Sequence, residues 1–406
     1  MSKIKKSDQL KNFYYKIKVV GVGGAGCSSL ERMNCAGILG IEYIAIDTDN
    51  KSLQQLDKKI KKIKIGGVEI KGLGTGGDME AGQMAAKASA KEIKQAISDA
   101  DLVFVVVGLG GGTGTGAGPV VLDLVKQNKS LAISVVTKPF TFEGAQRRNT
   151  AEDGLMDFID NSDAVITICN SKLLQIIDKS VPILEGFKIA DEALKQAVQS
   201  VADILTLPSL VNIGLSDIKA IMQESGSAFI GVGWGTGGER ASQAAKGALK
   251  NPLLNLCVDE AGGIIFVVTG SSDLKMSEVN EVAEIITDQV REGSKVSFGA
   301  FINDKLKNEI KVTLIATKFN QPAIEENFSH KRIKNESVEV FSDRSAKRIE
   351  MLPLIDKFTE GKIKVYKGED KNWEEEKGFN PSNQTAFEDE LDIPAFLRKK
   401  SKEKKE

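Results

Sequence analysis

Histidine is almost missing from this sequence: a single residue, His330, in 406. Ser-His-Asp triads and zinc sites built on His and Cys are therefore disfavoured as the basis of its chemistry. Cysteine is scarce as well. Cys27, Cys35, Cys169 and Cys257 form no CxxC pair and no metal-ligand spacing, and scattered thiols suit a reducing cytosol. Long hydrophobic runs are missing. The most apolar stretches, 102–109 and 264–268, fall far short of the ~20 residues that cross a bilayer. The opening MSKIKKSDQLKNFYYK has no apolar core of a secretory signal, so a cytoplasmic protein without a membrane span is expected. Charge excess is missing too. The 55 basic and 56 acidic residues leave a net −1, which creates no electrostatic demand for nucleic acid or lipid.

What is present is 41% hydrophobic residues, enough for one or two cores, and a length that at roughly 150 residues per domain implies two domains and a remainder. From Ile17, IKVV, EYIAI, LVFVVV, LAISVV and AVITI read as buried strands alternating with helical stretches. That pattern predicts a parallel sheet covered on both faces. A long helix is predicted over 186–208, where Phe187, Ala190, Leu194, Ala197, Val201 and Leu205 recur at steps of three and four before Pro208. SAFIGVG, GGIIFVVTG, KVSFGAF and KVTLIATKF then read as strands of a smaller α/β unit, with helices near 237–250 and 277–291. The expected organisation is a basic flexible arm (1–16), a nucleotide-binding domain (17–185), the central helix (186–208), a C-terminal α/β domain (209–320), a disordered linker (321–386) and a partner-binding peptide with a Lys-rich tail (387–406).

Two glycine clusters carry the chemistry. Gly21-Val22-Gly23-Gly24-Ala25-Gly26 follows the first strand and opens a helix, where backbone amides and the helix N-terminus can meet a phosphate. Taken alone the motif is weak and also fits a plain tight turn, while Asp47 at the end of the second strand mimics the ribose-binding acid of a dinucleotide enzyme. The run 110–116, Gly-Gly-Gly-Thr-Gly-Thr-Gly, follows LVFVVV and is expected to form a loop before a helix starting near Pro119. Consecutive amides with two Thr hydroxyls suit an anionic phosphate. No GxxxxGK[ST] is present, which excludes the usual P-loop.

The run 110–116 resembles the GGGTGTG signature of the tubulin superfamily, and its surroundings resemble FtsZ, the family of bacterial cell-division GTPases. The likeness extends through TKPFTFEG at 137–144, covers 17–320, and returns in the terminal DIPAFLR. It implies a Rossmann-like GTP-binding domain in which Gly24, Ala25, Gly26, Cys27 and Ser28 hold phosphates together with Gly110, Gly111, Gly112, Thr113, Gly114 and Thr115. Glu143 and Arg147 fall where the family contacts ribose and phosphate, and Asn170, Phe187 and Asp191 where it reads the base. A carboxylate can accept from guanine N1 and N2, and Phe can stack on the ring. Phe187 also sits on the apolar stripe of its helix, and Asn170 and Asp191 also suit capping or solvation.

In this family a loop after the long helix completes the nucleotide site of the next subunit. Here that loop is Val211-Asn212-Ile213-Gly214-Leu215-Ser216-Asp217. The family's NxDxxD becomes NxGxxD, so the first acid is missing, while Asn212 and Asp217 stay as candidate catalytic residues. Ser28 stands where an Asn is usual, and Ala25 and Cys27 where glycines are. The resemblance implies a GTPase that forms head-to-tail filaments in the cytoplasm at the division site. It would bind GTP or GDP, with Mg²⁺ held mainly through the nucleotide. Division or membrane-anchor proteins would be recruited through 387–398, where Phe387, Leu391, Ile393, Phe396 and Leu397 cluster; a solvated solubility tail is the plainer alternative. Two rivals stay open, a GTP-binding scaffold with little hydrolysis and an NAD-dependent enzyme using the first glycine loop alone.

Overall fold

The computed structural model describes residues 15–67, 70–178, 180–250 and 258–319. The first 14 residues of the arm, Cys257, the linker 321–386 with His330, and the 387–406 peptide and tail lie outside the described residues.

The first part of the chain runs β1 (Ile17–Val22), α1 (Gly23–Ala36), β2 (Ile41–Asp47), α2 (Asn50–Gln55), β3 (Lys61–Lys64), α3 (Met79–Ala88), α4 (Ala90–Ile97), β4 (Leu102–Gly108), α5 (Gly112–Gln127), β5 (Leu131–Lys138), α6 (Ala145–Asn161), β6 (Ala164–Cys169), α7 (Asn170–Ile176) and α8 (Ile183–Thr206). It continues through α9 (Leu215–Met222), β7 (Gly226–Thr236), α10 (Arg240–Leu249), β8 (Gly263–Gly270), α11 (Met276–Thr287), β9 (Lys295–Ile302) and β10 (Glu309–Thr317).

The strands form one ten-stranded sheet in the order β3-β2-β1-β4-β5-β6-β7-β10-β8-β9. The first six pair in parallel, and their order is that of a dinucleotide-binding sheet, whose ligand crevice lies where the order reverses. Here the reversal falls between β1 and β4. Only two residue pairs, Ala164↔Gly226 and Val165↔Ser227, splice β6 to β7. Beyond the splice, β7, β10 and β8 are antiparallel and β9 returns parallel to β8. The predicted α/β architecture, with its parallel sheet, long helix and second smaller α/β part, is the one observed.

Residues of β4 from Leu102 to Val107 are all buried, because helices cover both faces of a parallel sheet. One face packs Leu30 and Met33 of α1 with Leu194, Ala197 and Val201 of α8. The other packs Ala85, Ile93, Val121, Leu155 and Phe158. The long helix begins at Ile183, three residues before the expected 186, directly after Pro182, which stands extended at its N-cap (φ −61°, ψ 150°). It ends at Thr206, with Leu207 already extended before Pro208.

The second glycine cluster departs from expectation. Its helix starts at Gly112, not near Pro119, which lies inside α5. Poor intrinsic propensity is overridden by packing: a Cβ at Gly112 would overlap the Asp78 carbonyl oxygen, and one at Gly116 that of Met79. Only glycines allow α5 to lie backbone to backbone against α3. A third departure is local. Asp217 is not in an open loop but in the first turn of α9, where its Oδ2 accepts a hydrogen bond from Gly214 N at 2.9 Å.

Candidate functional site

Both glycine clusters sit at the point where the strand order reverses. Gly23 follows β1, and residues 109–112 follow β4, so α1 and α5 aim their N-termini at the same crevice. Neither helix has a side-chain cap or an acidic residue in its first turn, which leaves amide donors and positive partial charge for an anion. A Cβ at Gly24 or Gly111 would meet no atom within 4 Å; these two glycines border open space. Gly114 instead lies under Gly23, whose Cβ would come 2.8 Å from Gly114 N.

Beside this crevice lies a cavity of about 230 Å³. Ala25, Ser28, Glu143, Arg147, Asn170, Phe187 and Asp191 all line it, so seven residues singled out in the sequence, from position 25 to position 191, converge. Glu143 is held from two sides. Its Oε1 accepts from Phe140 N at 2.8 Å, and its Oε2 lies 3.1 Å from Arg147 Nε. Phe187 is 38% exposed and so is no core residue; it meets Phe140 edge-on at 5.3 Å between ring centres. Asn170 opens α7, is buried, and its Oδ1 accepts no hydrogen bond from the described residues. A buried carbonyl left without a donor is costly, and this one borders a cavity. Asp191 accepts from Ser29 Oγ and pairs with Arg32.

Other predicted residues are placed differently. Cys27 is buried, with its Sγ 3.7 Å from Gly21 O and 3.8 Å from Ile46 O. Burial, with the Asp47 carboxylate nearby, pushes its thiol far above the usual range, so the side chain packs and does not react. Thr115 is fully buried and its Oγ1 accepts from Gly110 N at 3.0 Å, closing the turn before α5. Thr113 is buried with its Oγ1 2.6 Å from that of Thr48 and 3.4 Å from that of Thr75. Gly110 has φ +94° and lies against Arg147. Gly26 packs tightly on β4, where a Cβ would overlap Val106 O. Asp47 is buried, accepting from Thr48 N at 2.7 Å and Asp49 N at 3.3 Å. It secures the turn after β2, which removes the ribose acid that a dinucleotide reading requires.

Some participants were missed in the sequence. Ser29 and Arg32 share a helical face with Ala25 and Ser28 at steps of three and four, and extending that face would have found them. A further glycine-rich stretch, Gly72-Leu73-Gly74-Thr75-Gly76-Gly77, brings Thr75 to Thr113; its density of glycine was the available signal.

Asn212 and Asp217 do not join this group. Both are exposed. Their segment neighbours Tyr15, which precedes β1, whereas Gly23 follows β1. Six extended residues separate those ends, about 20 Å. Within one chain the segment cannot reach the crevice. Among the described residues, no group of three or more His, Cys, Asp or Glu is placed to hold a metal ion, and no helix is long and apolar enough to cross a membrane.

Residues 16–178 match the family described as Tubulin/FtsZ family, GTPase domain, and residues 226–320 the FtsZ family, C-terminal domain. An empty FtsZ dimer from M. jannaschii is 36% identical with a TM-score of 0.71, the match covering 82% of this chain and 98% of that one. A tryptophan-to-tyrosine mutant of FtsZ from M. jannaschii is 40% identical with a TM-score of 0.70, over 75% and 91%. CetZ2 from Haloferax volcanii, solved as a GTPγS-bound protofilament, is 20% identical with a TM-score of 0.64, over 77% and 100%; at that identity the likeness is one of fold.

Proposed function

Because the chain belongs to the FtsZ family of tubulin-like GTPases, we propose that it is a GTP-dependent filament protein that stacks head to tail and hydrolyses GTP where two subunits meet. The observation that supports this reading most is Asn170: a buried acceptor without a donor, on a cavity shared with Glu143, Arg147, Phe187 and Asp191. A guanine base offers donors and a ring face to that set, while the phosphates take the amides of α1 and α5. Arg147, half exposed at its side chain, supplies countercharge. Mg²⁺ would be held there through phosphate oxygens and neutralise their charge, since among the described residues no group of three or more His, Cys, Asp or Glu is placed to hold it.

Hydrolysis then depends on a neighbour. Asp217 and Asn212 of one subunit enter the crevice of the next, where a carboxylate can orient the attacking water. A contact of this kind joins two different surfaces and extends into an open filament. A solved FtsZ dimer and a CetZ2 protofilament are consistent with such self-association. By the same reading the filament acts in cytoplasmic cell division and recruits its anchors through 387–398. Gly214 favours one alternative, a scaffold that binds GTP and scarcely turns it over, since the loop carries one acid and not two.

GTP turnover per molecule, followed against protein concentration alongside sedimentation in GTP and GDP, separates the readings. A cooperative rise above a threshold supports catalysis at interfaces. Pelleting in GTP with turnover flat near zero favours the scaffold, and preference for NAD or ATP over GTP sinks both. Asp217→Ala is expected to abolish turnover with GTP binding intact; normal turnover in that variant would remove Asp217 from the mechanism.

A further inference from the structure

The segment that carries Gly214 is held rigidly from both sides. Val211 exchanges backbone hydrogen bonds with Ala300 of β9 at 3.3 and 3.2 Å, and Leu210 N donates to the same Ala300 carbonyl at 2.8 Å. Ile213 and Leu215 are buried. Ile213 plugs the sheet at Gly299, where a Cβ would come 2.8 Å from Ile213 Cδ1. Gly214 between them has φ −88° and ψ 170°, extended backbone open to any residue. A Cβ there would meet Asp217 Oδ2 at 3.7 Å and Tyr15 OH at 3.7 Å, both ordinary contacts. The backbone therefore does not require glycine at this position, and the missing side chain is a chemical difference only.

Two oxygens flank the space that a side chain at 214 would enter. Asp217 Oδ2 accepts only, and it already takes the Gly214 N–H at 2.9 Å. The Tyr15 hydroxyl both donates and accepts. Its ring is partly buried against the core at the start of β1, so the hydroxyl is presented from a fixed base. A water lodged between these groups can donate to the carboxylate and accept from the phenol, which orients one lone pair outward.

We propose that Tyr15 is a positioning residue of the 212–217 segment, its hydroxyl fixing water beside Asp217 at the place where Gly214 offers no side chain. The inference rests on the reading that this segment completes a neighbour's nucleotide site. Tyr15 takes no proton in this arrangement; it orients.

The test is a cycle of Tyr15→Phe, Gly214→Asp and the double variant in the full chain, with GTP affinity, GTP-dependent sedimentation and turnover per sedimented subunit read for each. Phenylalanine keeps the ring and its packing. Tyr15→Phe is expected to lower turnover about fivefold to tenfold, the effect of one hydrogen bond, with affinity and sedimentation unchanged. In the Gly214→Asp background, where a carboxylate fills the bay, the same change is expected to alter turnover less than about twofold. Equal turnover in wild type and Tyr15→Phe overturns the inference, as does an equal loss in both backgrounds or a loss that tracks failed sedimentation. A wild type with no concentration-dependent turnover overturns the interface reading itself, and this inference with it.

Discussion

A methyl group added at Gly116 would overlap the Met79 carbonyl, whereas one added at Gly111 would touch nothing within 4 Å. The two glycines of one motif thus answer to different physics. Gly116→Ala is expected to destabilise the fold by about 1–3 kcal/mol through overpacking, seen as a lower denaturation midpoint. Gly111→Ala should leave that midpoint in place and weaken GTP binding, seen by titration. Asn170→Ala is expected to divide the same two quantities in the sense of Gly111→Ala. Removing a buried acceptor that has no donor should leave the nucleotide-free protein as stable or more so, while GTP affinity falls about tenfold; an unfolding series with and without GTP reads both. Residue identities such as Glu143, Asn170 and Asp191 were legible in the sequence through family resemblance. Their partners were not: that Asp191 pairs with Arg32 and Ser29 depends on how α1 and α8 cross, which no spacing encodes.

Strands and the long helix were legible because their patterns are strong. β4 is apolar at every buried position, and the α8 stripe of Ala190, Leu194, Ala197 and Val201 is buried as its period requires. The start of α5 was not, since seven residues dense in glycine imply a loop until α3 is known to lie against them. Another element-level feature has no sequence signal at all. Lys18 of β1 is 4% exposed; its ammonium donates to Ala96 O at 2.8 Å, pairs with Asp99, and lies 3.3 Å from Glu42 Oε2. Hydrogen bonds from Lys18 and Lys16 hold the Asp99 carboxyl down at about 2. The folded value lies below the ordinary aspartate range near 4, so the folded state favours the ionised form. The contribution to stability is complete above pH 4 or so and is lost as pH falls toward 2. Because Asp99 is half exposed, solvent screening limits the effect to about 1 kcal/mol. Urea unfolding of wild type and Asp99→Asn from pH 6 to pH 2 should show a gap that narrows over that window; a gap constant with pH would mean the carboxylate contributes no charge.

At the scale of the molecule, the decisive arrangement is that the glycine crevice and the Asp217 segment lie at opposite ends of β1. Two inactive variants should therefore complement each other. Asp217→Ala subunits keep a working pocket, and Asn170→Ala subunits, at GTP too dilute for them to load, keep a working segment. Turnover is expected only in the mixture, at about a quarter of randomly formed head-to-tail interfaces; silence in the mixture would mean that the segment does not complete a neighbour's site. The backbone contact between α5 and α3 bears on how such a protein can diverge. A lineage that ceased to hydrolyse nucleotide would still be compelled to retain most of the Gly-Thr signature, because losing it unpacks the molecule. Position 214 is under no such compulsion. The signature consequently records ancestry, and the unconstrained position beside Tyr15 is where a change of occupation would be written.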